Sequence, residues 1–156
     1  MTIAAILGID VTAQSTTPEF IPGQLGVVTG SNGTKIYKYL KYDDGTAAVD
    51  GVAGEVAYYY TLDGYKNHVC SSDLSDSVEI GAGVIQANIA TETYGWFQIK
   101  GAATLTIGLT AGADGDPLTP TGSADGTLDV SSAATDNVCA IAGDISDKEI
   151  ICDFPF

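Results

Sequence analysis

The chain has 156 residues, no arginine, six lysines and one histidine against twenty acidic side chains, for a formal net charge of −14. That balance excludes a nucleic-acid backbone or an anionic membrane surface as partner, because both need clustered Lys and Arg to displace counterions. It also leaves few groups for chemistry, since Arg and Lys clamp anions and His moves protons. The length suits one domain with its own core.

Residues 1–24 read as an extended arm and residues 25–156 as a single β-rich domain. The apolar start through Ile9 lacks a basic n-region, the first lysine being Lys35, and does not read as a signal peptide. No apolar run approaches the ~20 residues that span a bilayer. Pro18 and Pro22 hold the arm extended around Phe20 and Ile21. An arm with such apolar residues packs either on a partner or on its own domain.

Leu25-Gly26-Val27-Val28-Thr29 and residues 35–42 read as strands joined by the Asn32-Gly33 hairpin signal. Alternation puts Lys35, Tyr37, Tyr39 and Lys41 on one face of the second strand and Ile36, Lys38, Leu40 and Tyr42 on the other. Asp43-Asp44-Gly45 ends it. Residues 55–61 form the next strand, Asp63-Gly64 turns it, and residues 65–70 are its expected partner. Residues 71–77 read as a loop, and 84–90 as a short strand or one helical turn. Residues 94–100 and 103–109 read as two further strands.

A Gly/Asp/Pro/Thr loop follows over 114–126, then short strands at 127–130, 138–142 and 149–152. No segment sustains a helical period. Strands at this spacing with Gly-rich turns give an all-β fold, a β-sandwich or a small barrel of tulip-like form.

The motifs that suggest chemistry are weak. Gly81-Ala82-Gly83 lacks both the third small residue, which is Gln86, and a βαβ frame, so it reads as turn glycines rather than a dinucleotide site. Asp114, Asp116 and Asp125 match part of an EF-hand count, but Leu118 and Thr119 stand where an oxygen ligand and a glycine belong, so this reads as a solvated loop. His68 lies near Cys70, Ser71, Ser72 and Asp73, but neighbours on one strand rarely face each other, and it reads as structural. Cys70, Cys139 and Cys152 form no zinc pattern and read as buried thiols. No cofactor, metal or catalytic residue is expected. The eight tyrosines and Trp96 fit an aromatic core with an amphipathic rim, an interface, or a glycan-stacking platform.

Three segments carry a resemblance. They are Pro18-Glu19-Phe20-Ile21-Pro22-Gly23-Gln24-Leu25-Gly26, the Asn32-Gly33 hairpin with its Tyr-rich strand, and a third part beginning at Gly83-Val84-Ile85-Gln86-Ala87. The third continues through Tyr94-Gly95-Trp96-Phe97-Gln98-Ile99-Lys100-Gly101 and the Gly/Asp loop to Asp129. In this order they resemble the small decoration, or cement, proteins of tailed-phage heads. The resemblance implies a non-enzymatic β-rich homotrimer, made in the host cytoplasm, that sits on the outer surface of the virion and clamps neighbouring major capsid subunits. Phe20, Ile21, Trp96, Phe154 and Phe156 are the candidate interface anchors. A glycan-binding β-sandwich displayed on a virion or cell surface is the alternative.

Overall fold

The computed structural model describes residues 6–61 and 64–156. Asp63 of the expected Asp63-Gly64 turn and the first five residues of the arm lie outside them. The described residues form eleven strands: β1 (Ile6–Leu7), β2 (Leu25–Gly30), β3 (Gly33–Tyr42), β4 (Val56–Tyr60), β5 (Val69–Ser71), β6 (Ser77–Ile85), β7 (Thr93–Thr104), β8 (Pro117–Thr119), β9 (Asp129–Val130), β10 (Ala140–Asp144) and β11 (Glu149–Asp153). One helical turn, α1 (Gly64–Asn67), precedes β5, and a 3-10 turn (Leu74–Asp76) precedes β6.

Five strands close a ring in the order β3-β5-β4-β6-β7, sealed by an antiparallel β3–β7 pairing from Ile36↔Lys100 to Tyr42↔Thr93. The all-β expectation resolves as a small closed barrel with added strands. β3–β5 is the parallel pairing of the ring; the other four are antiparallel. Leu40, Tyr42, Ala57, Tyr59, Cys70, Ala82, Ile85 and Phe97 come from all five strands and fill the ring as one cluster. β1 and β2 extend the sheet beside β3, whereas β11, β10, β8 and β9 extend it beside β7. This outer sheet packs on Val56, Tyr58, Val84 and Ile99 through Leu118, Ala140, Ala142, Ile150 and Cys152, forming a second core.

A third cluster covers β3 and β7 elsewhere, and it settles the arm. Phe20 lies against Tyr39 and Trp96 at centroid distances of 5.3 and 5.1 Å, joined by Ile9 and Val11. Ser15 forms a β-bridge with Tyr94, and the Gly23 amide donates to the Tyr39 carbonyl at 2.7 Å. The described part of the arm packs on its own domain, because the aromatic side chains of β3 and β7 need a cover to leave water.

Several local expectations change. The hairpin turns at Ser31-Asn32 with Gly30 facing Gly33, and Gly33 alone takes the positive φ, 93°. This suits a loop that closes on a left-handed glycine rather than a two-residue Asn-Gly turn. Residues 65–70 do not form one strand: α1 comes first, His68 sits at φ 59°, and β5 spans only Val69–Ser71. The two strands expected over 94–109 are one strand ending at Thr104. Buried Gln98 holds it by donating to the Lys100 and Ala102 carbonyls at 3.3 and 2.9 Å, whereas Leu105 and Thr106 turn away to bond Lys148 and Gly54. Gly81 and Gly83 are not turn glycines but lie within β6, where a Cβ would come within 2.6 Å of the Phe154 ring and 2.9 Å of the Gln98 carbonyl.

Candidate docking surface

β11 alternates cleanly. Ile150 and Cys152 point into the second core, and Glu149, Ile151 and Asp153 face outward. The registers carry this alternation across the sheet: Ala102 of β7 pairs with Ile151, Ile151 with Ile141 of β10, and Ile141 with Pro117 of β8. The result is an outward apolar row across four strands, with Ile141 44% and Ile151 51% exposed. Such a contiguous outward row differs from singly scattered surface hydrophobes and makes this face a candidate interaction surface.

Charge frames the row. Glu149 and Asp153 stand two residues either side of Ile151, and Lys100 is ion-paired to Asp153. Beyond that pair lies a cleft of about 500 Å³ with Ile80, Gly81 and Phe154 among its lining and exposed Val138 and Tyr65 at its walls. Phe156 reaches the same rim. The Lys100 ammonium sits 4.6 Å from its ring centroid, and the Tyr65 hydroxyl donates to its carbonyl at 3.2 Å.

The five anchors named from the sequence separate into two groups. Trp96 and Phe154 are core residues, 2% and 0% exposed, and Phe20 is half-buried on Trp96, so these three are spent within the chain and are not free anchors. Ile21 and Phe156 are exposed. Ile141 and Ile151 were missed, because Ile151 stands between two acids on its face of the strand and only the pairing of β10 with β11 sets it beside Ile141.

Most of the aromatic side chains turn inward. Tyr37, Tyr39, Tyr42, Tyr58, Tyr59 and Trp96 are buried, whereas Tyr65 and Phe156 are exposed. Tyr58 donates to the Ala124 and Thr127 carbonyls, and Tyr42 to the Val49 carbonyl at 2.6 Å, so their hydroxyls brace loops.

Titratable groups away from the row do structural work. The acidic loop side chains cap backbone: Asp114 accepts from the Ile145 amide, Asp116 from Ala113 and Asp125 from Leu74. These three carboxylates therefore serve three separate loops. His68 has Nδ1 buried without a partner, and burial followed by the Lys38 charge lowers its pKa. The three cysteines are free and buried. Among the described residues, no three His, Cys, Asp or Glu side chains converge closely enough to cage a metal by themselves, and no helix is long and apolar enough to cross a membrane.

No protein-family model, curated protein or solved structure matches this chain.

Proposed function

We propose that this is a non-enzymatic structural protein of the virion, a head decoration protein that docks on the outer face of a tailed-phage capsid and bridges neighbouring major capsid subunits. The observation that carries the reading is the Pro117–Ile141–Ile151–Ala102 row, outward-facing and framed by Glu149 and Asp153. A second copy is a poor occupant for that face, because its own Glu149 and Asp153 would meet the same charges there. A shell surface with an apolar centre and basic edges is the matching partner. Self-association into a homotrimer then uses other surfaces. A high negative charge keeps free copies apart before they reach the shell, and binding the assembled shell in preference to loosened subunits stabilises it.

The test is co-sedimentation of the purified protein with capsids encoded in the same genome, together with its mass by light scattering. Stoichiometric binding that falls with rising salt, by a protein of trimeric mass, is the expected result. Absence from the capsid pellet at low salt, or capture by immobilised polysaccharide instead, overturns the reading.

A further inference from the structure

The loop after β3 meets the 3-10 turn after β5 at one end of the ring, and the meeting point is acidic. Asp73 is 1% exposed. Its Oδ1 accepts from the Ser75 amide and hydroxyl at 3.0 and 2.6 Å, but Oδ2 has no hydrogen-bond partner. A buried carboxylate oxygen without a donor is unfavourable, and native structures normally resolve it with an ordered water or an ion.

The free oxygen has a specific neighbour. Asp73 Oδ2 lies 3.1 Å, and Asp76 Oδ2 2.8 Å, from the position that a Cβ on Gly45 would occupy. Gly45 adopts φ 70°, so the backbone conformation and the space both keep a side chain out of the cradle. Asp43 accepts from the Gly45 amide at 3.0 Å, and Asp76 accepts from the Thr46 amide. The Tyr60 hydroxyl shares this surrounding: desolvation and then the carboxylates of Asp43, Asp76, Asp73 and Asp44 push its pKa up.

We propose that the carboxylates of Asp73 and Asp76, beside Gly45, bind a calcium ion that ties the β3 loop to the 3-10 turn. The donors are all oxygens, with no imidazole or thiolate, which selects a hard cation over zinc. Two carboxylates form an incomplete cage, and calcium tolerates this because its six to eight ligands include water and main-chain oxygens in flexible geometry. Magnesium demands a near-ideal octahedron and suits such an irregular cradle less well. The site stands apart from the docking row, and its assignment does not depend on the capsid reading.

The experiment uses the full chain stripped with chelator, titrated with calcium chloride by calorimetry and by thermal unfolding. Magnesium chloride and sodium chloride at matched ionic strength control for general screening of so acidic a protein. The expected result is saturable binding of one calcium ion and a rise in Tm of roughly 5–10 °C at a hundredfold excess over Kd. D73N removes both effects. Terbium provides a readout that does not rely on stability: its emission, sensitised by nearby Tyr60, appears in the wild type, is displaced by calcium and is lost in Y60F. Equal shifts from calcium and the matched salts overturn the proposal, as does a D73N protein that keeps the calcium effect. A wild type indifferent to calcium overturns it too.

Discussion

The Lys38 ammonium donates to the Tyr59 hydroxyl at 2.8 Å inside the barrel and has the faces of Tyr59 and Tyr65 within 5.2 and 5.4 Å. In a chain with twenty acidic side chains, this 3% exposed lysine is held by aromatic rings and a phenol instead of a carboxylate. Burial lowers its pKa to about 8.

That arrangement predicts a stabilising substitution. K38M removes a buried charge while keeping the stem's packing, and is expected to raise stability at pH 7 by about 1–2 kcal/mol, net of the donor lost to Tyr59. The gain depends on pH with a definite sign. Between about pH 8 and the ordinary lysine value, the native lysine is discharged while the unfolded one still binds its proton, so the wild type gains stability as pH rises. The difference between K38M and wild type is therefore largest below pH 8 and closes towards pH 10.5. Parallel denaturant titrations at pH 7, 8.5 and 10 check this; a constant difference would refute it.

The thiols move the other way. Burial pushes Cys152 up to about 12 and raises Cys139 and Cys70 as well. Unfolded thiols ionise near their ordinary value, so the stability they contribute is present below about pH 9 and is lost above it. In the comparison above Cys139 and Cys152 cancel, whereas Cys70, whose pKa the Lys38 charge holds down, is raised further in K38M. In native protein at pH 8, none of the three is expected to react with a thiol reagent within minutes, and all three should react at once in denaturant. Rapid labelling of native protein would show that a core opens, the ring for Cys70 and the second core for Cys139 or Cys152.

On the outer sheet, I151D places a third carboxylate between Glu149 and Asp153. The side chain is half in water already, so the cost to folding is expected to stay within about 1 kcal/mol. Docking should fall at least tenfold, read as capsid co-sedimentation beside an unchanged melting curve. Undiminished binding would move the interface elsewhere.

F20A uncovers the rings of Tyr39 and Trp96, and is expected to cost about 1.5–3 kcal/mol of global stability in urea unfolding. A free arm would instead give a change near zero. Removal of the whole arm should therefore weaken the domain itself, not merely its attachment to a partner.

Much of the strand inventory was legible because β-branched and aromatic residues alternate with turn glycines: β2, β3, β4 and most of β7 fall where the pattern puts them. What alternation does not carry is closure. Nothing local to Lys41 and Tyr42 announces that they pair in parallel with Val69 and Cys70, and that contact helps turn a sheet into a ring. Three of the five anchors turn inward for a related reason. Phe154 and Trp96 look equally apolar whether they meet a partner or their own core, and only the register of β10 with β11 reveals that Ile141 and Ile151 are the surplus. The Asp73 cradle was illegible because Gly45 and Asp73 lie in separate loops that read as turns, brought together by the ring.

The same closure sets an order of events during synthesis. β3 is complete by residue 42, yet one of its edges awaits β7, whose last residue is Thr104. Until that stretch has emerged, the hairpin of β2 and β3 presents an unpaired edge and the rings of Tyr37 and Tyr39 to its surroundings. Assembly must therefore be dominated by contacts distant in sequence, which makes folding slow for a chain of this size. A nascent chain halted before β7 is an aggregation hazard, and its high negative charge is the main feature keeping such chains from one another.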